Sequence, residues 1–214
     1  MQLIGLLGGT FNPIHFGHLR MAQELLISLQ LDEVRFIPSA NPPHKTAPAV
    51  SAAHRAEMVN IAISDNPKFT CDERELKRTG PSYTIDTLIS MREELSDDAA
   101  LCLIMGSDAF MSLNTWHRWQ ALLNVCHIIL VQRPTAAAKP PKLPDELAIL
   151  LQDHYTENGA DLALTNAGCI IMQGISAQEI SSTAIRQKLK LHQQPRYMMP
   201  DTVLNYIEQH QLYQ

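Results

Sequence analysis

No uninterrupted apolar run in this chain approaches the ~18 residues of a bilayer-spanning helix, and its N-terminus shows neither a positive region nor a cleavage site. An unexported protein with no membrane partner is expected. Cysteine is sparse: Cys71, Cys102, Cys126 and Cys169 are scattered, form no C-x-x-C pair and have mostly apolar neighbours. That pattern excludes a disulfide framework, argues against structural zinc, and predicts reduced core thiols in a cytoplasm. Positive charge is also in deficit, with a formal net charge of −5. A protein that neutralises a nucleic-acid backbone usually presents a basic face, so no nucleic-acid partner is expected. Both common glycine-rich fingerprints are missing, because there is no Gly-Lys-Ser/Thr ending and no dinucleotide-type glycine spacing.

What is present is a core and a loop. Apolar residues make up 45% of 214 positions, enough for one sizeable core, so a single domain over residues 1–214 is expected. After the apolar run Leu3-Ile4-Gly5-Leu6-Leu7 comes Gly8-Gly9-Thr10-Phe11-Asn12-Pro13-Ile14-His15-Phe16-Gly17-His18. The run reads as a strand, and the glycines behind it let backbone N–H groups approach an anion closely. The helix that follows offers the positive end of its dipole. His15 and His18 then supply the side-chain donors that a P-loop takes from its lysine. Two histidines at i and i+3 could share a metal, but Gly17 beside them and the lack of a nearby third ligand favour the anion.

Along the rest of the chain, strands and helices alternate. Leu19, Ala22, Leu25, Leu26 and Leu29 recur at helical spacing over residues 17–30, and Val34 to Ile37 reads as a strand stopped by Pro38. A proline-rich loop carrying Lys45 follows, then a helix from the N-cap Ser51 to Ser64 with Arg55 in its first turn. Residues 68–73 form a short strand, Thr79 to Ser82 a turn, and Thr84 to Leu95 a helix. Leu101 to Met105 and His127 to Val131 are buried strands, the first ending at Gly106-Ser107-Asp108 and the second at Arg133-Pro134. Residues 134–144 are a loop, and Cys169 to Met172 is another strand. Ser181 caps a short helix, and Pro200-Asp201 opens a last one. This order predicts an α/β, Rossmann-like doubly wound, mainly parallel sheet with helices on both faces, its active groups at the carboxyl ends of the strands.

His15-Phe16-Gly17-His18 resembles the H-x-G-H signature of the nucleotidyltransferase superfamily, and Ile180-Ser181-Ser182-Thr183-Ala184-Ile185-Arg186 resembles its later I-S-x-T-x-x-R motif. Between them Asn41-Pro42-Pro43-His44-Lys45, Pro81-Ser82-Tyr83-Thr84, Gly106-Ser107-Asp108 and Thr115-Trp116 look like the bacterial nicotinate mononucleotide adenylyltransferases. The resemblance implies transfer of AMP from ATP to nicotinate mononucleotide, giving deamido-NAD and pyrophosphate. It implies His18 on the phosphates near the reacting centre, with Thr10 and His15 positioning them. ATP would also meet Gly8, Gly9, Phe11, Gly17, Gly106, Asp108, Ser181 and Thr183. The mononucleotide would meet Thr84, Trp116 and the backbone of His117 at its pyridine, with His44, Arg55 and Arg133 as candidates for its phosphate. It also implies Mg²⁺ carried on the triphosphate rather than in a protein cage, so no protein metal ligand is expected. Asn12 departs from the aspartate of many members: it keeps the turn-forming side chain and loses the charge.

Such a reaction needs no protein nucleophile. The attacking 5′-phosphate and the α-phosphorus must be brought in line, and charge on the departing pyrophosphate must be held. His15, His18, the mobile ammonium of Lys45 and the planar fork of Arg186 are suited to that work. Plainer readings stay open. Asp108 could be an N-cap, Trp116 a core aromatic, Lys45 and Arg186 solvated surface residues, and Arg55, His44 and Arg133 likewise. Two other functions stay open too: adenylyl transfer to a different acceptor such as pantetheine phosphate, or a nucleotide sensor without turnover. The choice between nicotinate and nicotinamide is not readable.

Overall fold

The computed structural model describes residues 1–40, 48, 50–95, 98–132, 142–176 and 179–214. Seven strands form one sheet in the order β3-β2-β1-β4-β5-β7-β6, and every described pairing is parallel. The strands are β1 (Gln2–Gly9), β2 (Glu33–Pro38), β3 (Phe69–Cys71), β4 (Ala99–Gly106), β5 (His127–Gln132), β6 (Tyr155–Thr156) and β7 (Ile170–Gly174). The helices are α1 (Phe16–Ser28), α2 (Ala52–Ile63), α3 (Thr84–Glu94), α4 (Ser107–Met111), α5 (Asp145–His154), α6 (Ser182–Lys190) and α7 (Asp201–Gln209). The doubly wound expectation holds. The chain moves outward from β1 to β3, then restarts on the other side of β1 with β4, so the winding reverses between β1 and β4.

Apolar runs in the central strands read as buried because both faces are covered. Successive residues point to opposite sides. Leu3 and Leu7 of β1, Ala100, Cys102 and Ile104 of β4, and Ile129 and Val131 of β5 pack on one face with Leu25 of α1, Met58 of α2 and Val203 of α7. Ile4, Leu6, Leu101, Leu103, Ile128 and Leu130 point the other way and meet Ile85, Leu88 and Met91 of α3 and Leu147 of α5. Full burial of one such side chain contributes about 1.5–3 kcal/mol, so two covered faces stabilise the sheet far more than its edges do.

Boundaries differ from the sequence reading in informative ways. Strand β1 continues through Gly8 and Gly9, because these residues still pair with Ile37 and Pro38 of β2. Pro38 closes β2 from inside rather than outside. Helix α5 starts one residue after Pro144, within a stretch that carried no assignment, and β6 is a two-residue edge. Residues 134–141 of the expected loop lie outside the described residues. The four thiols are free, and burial pushes Cys71 and Cys126 up to about 12, which keeps them protonated and unreactive. Among the described residues no helix is long and apolar enough to cross a membrane.

His127 is fully buried on β5. Its Nδ1 accepts from the Cys169 N–H at 3.0 Å, which leaves Nε2 to donate to the Thr165 carbonyl at 2.9 Å. That pairing uses up the neutral ring, and burial holds its pKa below the ordinary value. The unfolded chain therefore takes up this proton first as the pH drops below about 6.5. Stability from the neutral ring is present above that value and declines below it. The melting-temperature gap between wild type and His127→Asn should narrow from pH 7.5 to pH 5; a constant gap would exclude this linkage.

Candidate active site

The first motif sits where the sheet offers an opening. The carboxyl ends of β1 and β4 lie side by side at the reversal of winding, with Gly8 and Gly9 on one and Gly106 on the other. A cavity of about 670 Å³ opens there. Gly8, Gly9, Thr10 and His18 line one part of its wall, and Tyr83, Thr84, Trp116 and His117 line another. Residues expected on each of the two substrates thus share one cavity, whereas His15, Asp108, Ser181, Thr183 and Arg186 are not among those that line it.

Helix α1 begins at this cavity with His15 as its N-cap, which makes no side-chain cap hydrogen bond. The imidazoles of His15 and His18 stack with centroids 3.8 Å apart, and the Phe11 ring meets His18 edge-on at 5.1 Å. Two glycines make this possible. A Cβ on Gly17 would come within 3.0 Å of the His15 ring, and one on Gly9 within 3.0 Å of the Phe11 ring. Phe11 itself sits at φ 46°, a left-handed conformation that costs a non-glycine residue energy and turns the chain sharply out of β1.

Three side chains from distant segments tie down the carbonyls of this turn. Arg55 of α2 donates to the Thr10 carbonyl at 2.6 Å, Arg186 of α6 to that of Asn12 at 2.8 Å, and the Ser182 hydroxyl to that of Pro13 at 2.9 Å. The N-termini of α1 and α6 are therefore neighbours. Ser181 caps α6 by accepting from the Ala184 N–H at 3.2 Å, and Thr183 accepts from Arg186 at 3.3 Å. Arg186 borders a second hollow of about 590 Å³ with Asn12 and Lys190.

Arg55 departs from expectation. It is 1% exposed, and besides Thr10 its guanidinium donates to the carbonyls of Ser39 at 2.7 Å and of Val50 and Ala40 at 3.4 Å. Its fork is occupied by backbone, so it braces the turn from behind instead of meeting a phosphate. For Asp108 the plainer N-cap reading falls: Gly106 is the N-cap of α4, and Asp108 stands exposed in its first turn. Trp116 is half-buried, packed against the core while lining the cavity, so its two readings are compatible. His44, Lys45 and Arg133 lie outside the described residues.

Sequence reasoning passed over two cavity residues as individuals. The Tyr83 ring lies 4.4 Å from that of His117, and Glu75 is buried in the wall at 7% exposure. An aromatic next to the Thr84 helix start was a usable signal for the first. Nothing local marks the second.

Comparison with known proteins agrees with this arrangement. Residues 6–188 match the family model described as cytidylyltransferase-like. The chain is 47% identical over 211 residues, 99% of its length and 97% of the relative's, to a probable nicotinate-nucleotide adenylyltransferase of Aeromonas salmonicida. The corresponding protein of Pseudomonas fluorescens is 49% identical, over 98% of this chain and 96% of the relative. The chain belongs to the nicotinate-nucleotide adenylyltransferase family. A nicotinic acid mononucleotide adenylyltransferase of Plasmodium falciparum, solved in complex with NaAD, shares the fold of this adenylyltransferase-family chain. The TM-score is 0.71 at 18% identity, over 100% of this chain and 98% of the other.

Proposed function

We propose that the protein joins the AMP moiety of ATP to nicotinate mononucleotide, releasing pyrophosphate and forming deamido-NAD, as one nucleotidyltransferase domain spanning residues 1–214. One observation carries this reading: His18 and Trp116 face the same cavity at the β1/β4 reversal. The two relatives described above bear the name of this activity, which supports the choice of acceptor.

In this reading an oxygen of the mononucleotide 5′-phosphate attacks the α-phosphorus of ATP. The new P–O bond forms as the bond to the bridging oxygen breaks, and that electron pair leaves with pyrophosphate. Gly8, Gly9, Thr10, Phe11 and Gly17 shape the cradle at the start of α1, where backbone N–H groups and the helix dipole attract the triphosphate. His18 donates near the reacting centre, with His15 stacked behind it. Ser181, Thr183 and the remaining N–H groups of Arg186 hold the outer phosphates at the start of α6, and Lys45 supplies a cation from its loop. Gly106 and Asp108 meet the nucleoside. Trp116 stacks on the pyridine, Thr84 and the His117 backbone meet its carboxylate, and His44 and Arg133 serve the mononucleotide phosphate.

Among the described residues no three His, Cys, Asp or Glu side chains gather as metal ligands. The donor set here is imidazole, hydroxyl, guanidinium and backbone amide, which fits Mg²⁺ held by phosphate oxygens and water. Bound there, Mg²⁺ would screen charge on the departing pyrophosphate. Four free thiols suit a reducing compartment, and we place the protein in the cytoplasm.

An acceptor panel tests the reading. With ATP and Mg²⁺, purified protein should release pyrophosphate with pyridine mononucleotides and not with pantetheine phosphate, and nicotinate mononucleotide should be preferred over its amide. Turnover with pantetheine phosphate alone, or ATP binding with no turnover on any acceptor, would defeat it.

A further inference from the structure

Glu24 stands well along α1 from the phosphate cradle, and its carboxylate is shared between two segments of the chain. Oε1 accepts from Arg20 Nε at 2.9 Å, and Oε2 accepts from the backbone N–H of Ser176 at 2.7 Å. The first bond does not explain the arrangement. An exposed i, i+4 pair with the cation on the N-terminal side is the weaker orientation on a helix, and it sets Arg20 toward the positive end of the dipole. The second bond is short and charge-assisted, and it joins positions 152 residues apart. The Ser176 N–H, against a smaller opposing effect of burial, holds the Glu24 carboxyl below its ordinary pKa and so keeps it ionised.

Ser176 is where the chain leaves the sheet. Ile175 still donates to the Gln132 carbonyl at the end of β5, at 3.2 Å, whereas the next N–H goes to α1. From there the chain leads to Ser181, Thr183 and Arg186 at the start of α6, and it meets α1 and the turn before it at two more described points. A Cβ on Gly17 would lie 3.6 Å from the Ile180 carbonyl oxygen, and the Ser182 hydroxyl donates to the Pro13 carbonyl at 2.9 Å. Ser176, Ile180 and Ser182 thus meet Glu24, Gly17 and Pro13 in that order, down α1 toward its N-terminus. Gly17 and Glu24 are about 10 Å apart along the helix, a distance that the link from Ile180 back to Ser176 can cover. Among the described residues, Glu24 holds the far end of this seam.

We propose that Glu24 is a positioning residue for the triphosphate: by holding the main chain at Ser176 against α1, it sets the approach to α6 and so the spacing of the two helix N-termini that flank the phosphates. The inference rests on assigning the triphosphate to the starts of α1 and α6. Its expected signature is selective, because Tyr83, Thr84 and Trp116 of the pyridine end stand on other segments. Its sign is also informative. Glu24 is an anion on the helix that receives phosphate, so deleting its charge alone would favour ATP, whereas deleting its bond to Ser176 disfavours ATP.

Calorimetric titration of the full chain with ATP and Mg²⁺, in the absence of any acceptor, tests it, and steady-state kinetics adds the split between substrates. Glu24→Ala should weaken ATP binding about five-fold, the scale of one net hydrogen bond, and raise KM for ATP to match. KM for nicotinate mononucleotide should change by less than about two-fold. Glu24→Gln loses the same charge but keeps an oxygen for the Ser176 N–H, so it should stay within about two-fold of wild type. Ser176→Pro deletes the donor without touching α1 and should reproduce the loss. Combined with Glu24→Ala it should add little, since both act through one bond. Unchanged or tighter ATP binding in Glu24→Ala, an equal loss in Glu24→Gln, equal effects on both substrates, or additive losses in the double variant would overturn the proposal. Arg186→Ala separates the two levels of inference. If it weakens ATP binding and Glu24→Ala does not, only the role of Glu24 falls; if neither does, the assignment of the triphosphate to α6 falls and the proposal with it.

Discussion

His18→Ala is expected to lower kcat for pyrophosphate release by about 10²–10³, the range seen when one preorganised donor to a developing charge is removed. The loss should appear in kcat and kcat/KM alike, with a smaller change in KM for ATP, because the donor matters most when charge collects on the leaving pyrophosphate. Stability should change little. His18 sits at the first turn of α1, stacked on His15 and touched edge-on by Phe11. Losing ring contacts of that kind costs about 0.5–1.5 kcal/mol, which lowers the melting temperature by only a few degrees. Stopped-time kinetics and thermal melts on the same preparations check both halves. A melting-temperature loss large enough to account for the missing activity would assign His18 a structural role.

Arg55→Met should act the other way, through the fold. The substitution keeps an apolar body of similar reach in a site that is 1% exposed, and removes every donor. The carbonyls of Thr10 and Ser39 then lose their bonds of 2.6 and 2.7 Å. Each unsatisfied buried group costs about 1–3 kcal/mol. Losing the cation also removes the cost of burying it, since desolvation already holds the Arg55 pKa below its usual value, so the lower part of that range applies. A net loss of about 2–4 kcal/mol is expected, or roughly 10 °C in melting temperature. Activity should be depressed even well below the new transition, because Thr10 is released beside the reacting phosphates. Arg55→Lys should not rescue it, as a point charge cannot span carbonyls from three segments the way a planar fork does. A variant that melts like wild type would show that the turn does not need this brace.

The two arginines mark where sequence reading succeeds and stops. Arg186 is legible as to place because it stands in a motif with a serine cap and threonine, and spacing puts it within reach of the helix start, where it donates to Thr183. Arg55 is equally buried in meaning and in fact: its partners come from residues 10, 39, 40 and 50, and no local pattern announces that four carbonyls will converge. The central strands were legible because a parallel strand covered on both faces is apolar at most of its positions. Helix α5 was not, since it opens at Asp145 directly behind a stretch to Pro144 that reads as loop, and residues 145–154 received no reading of their own. Gly8 and Gly9 suggested a loop, whereas their backbone still pairs with β2. The cradle thus begins on the paired tip of a strand, which gives it more rigidity than its composition implies.

The bonds from Ser182 and Arg186 to the carbonyls of Pro13 and Asn12 join positions 169 and 174 residues apart. Synthesis proceeds from the N-terminus, so residues 8–18 are made early and wait for almost the whole of the remaining polypeptide before their anchors exist. A chain released by a premature stop before residue 182 would carry the H-x-G-H sequence intact, yet its turn would lack both ties. Such fragments should not compete for nucleotide in the cell, and ligand-induced protection from proteolysis would appear only once the last seventh of the protein has been translated.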